Sequence, residues 1–194
     1  MSLTEKENAI RIISEAFVEN PSVLHIVKPD AHKAERIKHL ADYVYETSNM
    51  RKGVFFSKDR EAIALCYRYN FRKEGLRDYF NQVKLVFRTI GVERVFKILK
   101  RDAYVKKQRP ADGNFLYFWF FGSSNKARGG RGAWELKEKI FEQSKKLNLP
   151  IYLETSIPQN KLVYQRFGFE TYHVWDGNYG NQPLYFMRRV VDKS

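Results

Sequence analysis

Asn125-Lys126-Ala127-Arg128-Gly129-Gly130-Arg131-Gly132-Ala133 joins two stretches of different period. Upstream, Asn114 to Phe121 reads as a strand; downstream, Ala133 to Leu147 repeats its apolar residues at helical spacing. Glycines at such a junction let the backbone curl until successive N–H groups converge on one point. The helix N-terminus adds partial positive charge there, and Lys126, Arg128 and Arg131 add full charges, so the junction suits a phosphate or pyrophosphate. A glycine-rich turn before a helix can also be no more than a tight connection, and the loop alone leaves both readings open.

The strand leading into the loop, Phe115-Leu116-Tyr117-Phe118-Trp119-Phe120-Phe121, is apolar on both faces, which marks a central strand covered on two sides. Working outward, Thr4-x-x-Glu7 is a capping box, followed by a helical stripe of Ala9, Ile10, Ile13, Ala16 and Phe17 that Asn20-Pro21 closes. Pro29-Asp30 opens a second helix with Ile37, Leu40, Ala41, Val44 and Tyr45 on its apolar face. Val54 to Ser57 and Glu61 to Asn70 read as strands joined by Lys58-Asp59-Arg60. Two helical patterns follow, one on Leu76, Phe80, Val83 and Phe87, the other on Val92, Val95, Phe96 and Leu99. Beyond the loop, the helix buries Leu136, Ile140, Phe141, Ser144 and Leu147. Ile151 to Thr155 is a short strand, Gln159 to Phe167 a short helix ended by Gly168, and Phe169 to Trp175 pairs with Leu184 to Val190 across a turn at Gly177 to Asn181.

A second constellation lies downstream: Asn160-Lys161-Leu162-Val163-Tyr164-Gln165-Arg166-Phe167-Gly168-Phe169. Here the sequence resembles the GCN5-related N-acetyltransferases, which move an acetyl group from acetyl-CoA to an amine. The glycine loop stands in place of that family's Arg/Gln-x-x-Gly-x-Gly/Ala pyrophosphate signature. Asn160 through Tyr164 to Gly168-Phe169 matches its downstream Asn…Tyr-x-x-x-Gly-Phe signature. The resemblance implies an α/β fold, three layers with a mixed central β-sheet flanked by helices. It also implies one acetyltransferase domain over residues 1–194: a helical and first-strand part at 1–110, a CoA-binding core at 111–170 and a C-terminal hairpin at 171–191.

The resemblance further implies site residues. Cofactor contacts fall on Phe120 and Gly122 at the end of the strand, on Lys126, Arg128, Gly129, Gly130, Arg131, Gly132 and Ala133 in the loop, and on Asn160. A backbone N–H at the strand end would stabilise the oxyanion. Tyr164 would protonate the departing thiolate; a phenol of pKa about 10 facing a thiol of about 8.5 is matched to late proton transfer. The alternative for Tyr164 is a packed aromatic on a short helix. Glu154, near the carboxyl end of a strand, could deprotonate the amine, directly or through water, or hold its ammonium form; otherwise it pairs with a neighbouring arginine or a backbone amide. Asn160 could bond the pantetheine arm or cap the helix. Two departures stand out: Ala127 occupies the Arg/Gln position, and Phe115 to Phe121 holds no Asp or Glu where many relatives place a general base.

Composition sets the frame. The 194 residues suffice for one domain with a substantial core, and 43% hydrophobic content argues against disorder. A lone cysteine, Cys66, excludes an intrachain disulfide and reads as a small core residue rather than a nucleophile. The charged N-terminus does not read as a signal peptide, and no apolar run approaches the ~20 residues that span a bilayer, so a cytoplasmic location is expected. The expected partners are acetyl-CoA and a small-molecule amine, with no metal, no membrane and no nucleic acid. Two rivals are kept: a nucleic-acid-binding protein driven by the +13 net charge, and a CoA-binding protein with little transferase activity, motivated by the two departures.

Overall fold

The computed structural model describes residues 3–177 and 182–191. Six strands form one sheet in the order β1-β2-β3-β4-β6-β5, where β1 is Val54–Phe56, β2 Ala62–Arg68, β3 Leu116–Ser123, β4 Ile151–Thr155, β5 Glu170–Trp175 and β6 Leu184–Arg189. Every neighbouring pair is antiparallel except β3 and β4, which run parallel, so the sheet is mixed as expected. The two-sided apolar run does become an inner strand. Of the turn expected at Gly177 to Asn181, residues 178–181 lie outside the described residues.

β2 shows how the layers arise. Its alternate residues Ile63 and Leu65 pack on α1 (Glu5–Phe17) and α3 (Lys33–Asn49), meeting Ile12, Ile13, Leu40 and Val44. Ala62, Ala64 and Cys66 point the other way, onto Leu136 and Ile140 of α6 (Gly132–Leu147). α7 (Pro158–Arg166) joins α6 on that face through Tyr164. Burial pushes the Cys66 thiol up and leaves it protonated, consistent with a packing role.

Local chemistry sets the ends. Thr4 Oγ1 accepts from the Glu7 N–H and the Glu7 carboxylate accepts from the Thr4 N–H, the capping box read from the sequence. Asn20 does more than close α1: its Oδ1 accepts from the N–H groups of Ser22 and Val23, starting a further helix, α2 (Pro21–Ile26), with Pro21 at its first turn. Asn148 ends α6 in the left-handed conformation, and Gly168, at φ +83°, ends α7. Of the residues expected under α6, Leu136, Ile140 and Ser144 are buried and Phe141 partly so, whereas Leu147, in the last turn, is exposed.

Between β2 and β3 the chain inserts α4 (Leu76–Leu85), a π-turn segment at Val86–Ile90, a 3₁₀ turn at Val92–Arg94 and α5 (Val95–Lys107). Its expected helices are present. Their apolar stripes, however, face outward: Leu76, Phe80, Phe87, Phe96 and Leu99 are all exposed.

Candidate functional site

The parallel pair β3/β4 is joined only at Leu116↔Ile151 and Tyr117↔Tyr152. Beyond those two positions the strands part, while β3 stays paired with β2 as far as Ser123 and β4 with β6 as far as Thr155. The parting leaves a wedge-shaped gap in the middle of the sheet, edged by backbone groups of 118–123 that β4 does not bond. A β-bulge helps to open it: Leu65 sits opposite Phe120 and Cys66 opposite Phe118, so Trp119 is the extra residue and the strand turns there.

The gap opens into a cavity of about 950 Å³. Phe120, Glu154, Asn160 and Tyr164 all line it, together with Tyr67, Tyr69, Tyr117 and Trp119 from the strands and Ile98 and Val105 from α5. The structure therefore brings together four of the residues expected from sequence. Gly122 and the loop residues Lys126, Arg128, Gly129, Gly130, Arg131, Gly132 and Ala133 lie outside the cavity lining, at the end of β3 and the start of α6.

The loop is built to be held open. The Glu15 carboxylate accepts from the Asn125 N–H at 2.8 Å, and Ala127 accepts from the Gly130 N–H at 3.0 Å, closing a turn inside the loop. Gly130 thus bonds within the loop, while the first-turn N–H groups of α6 have no carbonyl a turn earlier to bond. Lys126, Arg128 and Arg131 are exposed around that helix start. Two glycines are demanded for different reasons. Gly129 takes φ +79°, with open space where a side chain would be; a Cβ at Gly132 would stand 3.0 Å from Ala62 Cβ and 3.3 Å from Ser57 Cβ, so the helix start can lie this close to β2 only without one.

Tyr164 is half-buried on α7, its ring edge-on to Phe118 and to Phe169 at 6.1 and 5.6 Å between centroids. Those contacts fix the ring, and among the described residues its hydroxyl has no hydrogen-bond partner. Burial raises the phenol above its ordinary value and keeps it protonated at neutral pH. Asn160 does not cap α7: Ile157 holds the cap position, without a side-chain bond. The Asn160 amide is left for the cavity.

Glu154 is held from two directions. Arg109 Nε donates to its Oε1 at 2.9 Å and Arg109 Nη2 to its Oε2 at 3.0 Å, while Tyr117 Oη donates to Oε2 at 2.9 Å. This is the arginine pairing that the sequence left open for Glu154. The Arg109 guanidinium also stacks on the Tyr117 ring, 3.9 Å from its centroid. Burial disfavours the charge on Arg109, but Glu154 and Tyr117 outweigh it and raise its pKa further. Burial likewise raises the Tyr117 phenol, with Arg109 opposing and Glu154 adding to the shift. Neither Arg109 nor Tyr117 stands out in the sequence. Among the described residues no group of His, Cys, Asp and Glu is arranged to hold a metal ion, and no helix is long and apolar enough to cross a membrane.

No family model matches the chain. An uncharacterized N-acetyltransferase of Schizosaccharomyces pombe is 28% identical over 102 residues, which are 53% of this chain and 36% of that protein, so the match spans about a third of the relative. Among solved structures, the chain superposes on a histone acetyltransferase HPA2 and related acetyltransferase from Corynebacterium glutamicum with TM-score 0.67 and 16% identity, covering 100% of this chain and 95% of that one. Arylalkylamine N-acetyltransferase 2 from Aedes aegypti gives 0.58 and 16%, covering 99% and 98%. The C-terminal condensation domain of Ebony, solved with beta-alanyl-dopamine, gives 0.68 and 12%, covering 98% and 97%. The chain has the fold of the GCN5-related N-acetyltransferases, and the resemblance carried by its two motifs holds at the level of that fold.

Proposed function

We propose that this chain, as one domain, transfers an acetyl group from acetyl-CoA to the amine of a small molecule, by direct attack with donor and acceptor bound together. The observation that carries the reading is the parting of β3 from β4 between the glycine loop and Tyr164. It leaves a strand edge that β4 does not bond, with the first turn of α6 beyond its end and, beside the gap, a phenol with no hydrogen-bond partner among the described residues.

Each residue then has a task. The amides at the start of α6, with Lys126, Arg128 and Arg131, take the pyrophosphate; the missing side chain of Gly129 leaves its approach open, while that of Gly132 lets the helix start lie against β2. The free edge of β3, from Phe120 to Gly122, bonds the pantetheine arm and stabilises the negative charge that develops on the carbonyl oxygen. Asn160 bonds the same arm from the other side of the gap. Tyr164 gives its proton to the departing thiolate. Its raised pKa stops the phenol from ionising beforehand but also makes it the weaker acid of the pair, so the transfer runs against the pKa difference and the phenol must then regain its proton from water.

Glu154 holds the acceptor as an ammonium through one hydrogen bond, and the ammonium passes a proton to water in the gap before the neutral amine attacks the thioester carbonyl. A carboxylate has about four lone-pair sites; the two donors on Oε2 fill that oxygen, and Arg109 leaves one site on Oε1. A single further hydrogen bond from an ammonium or a water fits there. Direct attack is favoured over an acyl-enzyme because Cys66 is buried in β2 and held as a thiol.

A second reading, a CoA-binding protein with little turnover, is favoured by Ala127 in the loop and by the absence of any carboxylate on β3. One experiment separates the two. Acetyl-CoA should raise the melting temperature by mass action, and with a panel of amines the protein should release free thiol. Stabilisation without thiol release from any amine supports the CoA-binding reading. No stabilisation by acetyl-CoA, with a shift on adding oligonucleotide that salt abolishes, would overturn both.

A further inference from the structure

We infer that the α4–α5 insert docks on an anionic lipid bilayer, bringing the cavity that it roofs against the membrane surface. Leu76, Tyr79, Phe80 and Phe87 recur at spacings of three, four and seven, so they share one face of α4 and its π extension, and Phe96 and Leu99 share one face of α5. Such stripes ordinarily seat a helix on the core. Here they point to solvent: Leu76 is 79% exposed, Phe80 67% and Phe96 83%. Two successive helices with their apolar faces outward mark a surface that is covered in use.

The charge around the stripes selects the occupant. Between Arg72 and Arg109 stand twelve Lys and Arg against four Asp and Glu, so more than half of the chain's +13 comes from about a fifth of its length. Lys73, Arg77, Arg88, Lys97 and Lys100 are exposed beside the apolar residues. A second copy of the same face would bring these charges together, which opposes a dimer through it. An anionic surface draws them in, and each basic side chain near such a surface adds to the attraction. A lipid surface fits better than an acidic protein because the apolar side chains project instead of lining a recess. A projecting phenylalanine needs a matching pocket in a folded partner, whereas an acyl layer closes around it. Spanning the bilayer is not involved. Leu85, Val86, Val95 and Ile98 line the cavity wall, and Leu99 lies at its edge, between the cavity and solvent.

The test is flotation of the whole protein with phosphatidylcholine vesicles, with or without phosphatidylglycerol, at low and high salt. Binding is expected only to the phosphatidylglycerol vesicles, and salt should weaken it. The double variant Phe80→Ser with Phe96→Ser should lower partitioning by about tenfold or more while its melting temperature and thiol release match the parent, because both rings lie on the solvent side. Three results would overturn the proposal. One is no binding to anionic vesicles at low salt. A second is binding that the double variant leaves unchanged, which would put it on another basic surface such as the glycine loop. The third is self-association, or capture of an acidic protein, that the variant abolishes while the parent ignores lipid.

Discussion

The guanidinium of Arg109 and the carboxylate of Glu154 face each other with two parallel N–H to oxygen contacts, at 2.9 and 3.0 Å, across 45 residues of sequence. Both side chains are almost fully buried, at 7% and 8% exposure. The pair ties the end of the insert to the sheet beside the gap. It also sets what each partner can do alone.

Glu154→Gln leaves a guanidinium buried without its counter-charge, so it should cost about 3–5 kcal/mol of unfolding free energy. Replacing both members, Arg109→Met with Glu154→Leu, should cost much less than the two single changes added together. Urea unfolding of the parent, Arg109→Met, Glu154→Leu and their combination closes the cycle. If Glu154→Gln instead abolishes turnover at unchanged stability, the carboxylate is a base rather than an anchor.

The two loop glycines give a contrast that a general softening of the loop would not. Gly132→Ala meets Ala62 and Ser57 at 3.0 and 3.3 Å and should cost about 1–3 kcal/mol in stability through crowding. Gly129→Asp has open space, so only its positive φ costs stability, about 1–2 kcal/mol. Its carboxylate should nevertheless weaken acetyl-CoA by about tenfold or more if, as proposed, the pyrophosphate sits against this loop. Quenching of Trp134 fluorescence, exposed in the first turn of α6, reads the affinity. Unchanged affinity in Gly129→Asp would move the phosphate away from this loop.

Much of this arrangement can be read from the chain because its signals are local. Phe115 to Phe121 read as an inner strand because it is apolar on both faces, and the glycines between it and a helical repeat marked the loop. Tyr164 was singled out by the resemblance of Asn160 through Gly168-Phe169 to a family motif. What escaped depends on distant partners. Arg109 looks like the end of a basic tail until Glu154 is placed opposite it. The bulge at Trp119 leaves no trace in a run of aromatics that would suit any register. Periodicity located the α4 and α5 stripes but carries no information on which side of a helix the core lies. Asn20 served as a stop signal for one helix, yet the same residue before a proline is also a start signal, and both are used.

His25 gives a pH signature. Burial lowers its pKa to about 4, with Lys97, Arg94 and Arg101 adding to the shift. The unfolded imidazole titrates near its ordinary value of about 6.5. Above that pH neither state is charged and His25 has no pH-dependent effect. As pH falls from about 6.5 to about 4, the unfolded chain binds a proton that the folded one refuses, so stability declines through this window and levels off below it. His25→Gln should flatten that part of the curve relative to the parent, measured as urea midpoints against pH. Parallel curves for the two proteins would show that His25 carries none of the dependence.

Tyr164→Phe separates packing from proton transfer. The ring contacts with Phe118 and Phe169 survive the change, and the hydroxyl that is lost has no protein partner among the described residues, so stability should hold. If the phenol protonates the thiolate, kcat should fall by about 10²- to 10⁴-fold while acetyl-CoA affinity stays within a few-fold. A loss of affinity alongside rate would mean that the hydroxyl also bonds the sulfur before reaction. The measurement must be made where chemistry limits turnover, checked by a pre-steady-state burst, because slow product release would hide the effect. A phenylalanine variant with parental kcat under those conditions would leave Tyr164 as a packed aromatic, and the thiolate would have to take its proton from water in the gap.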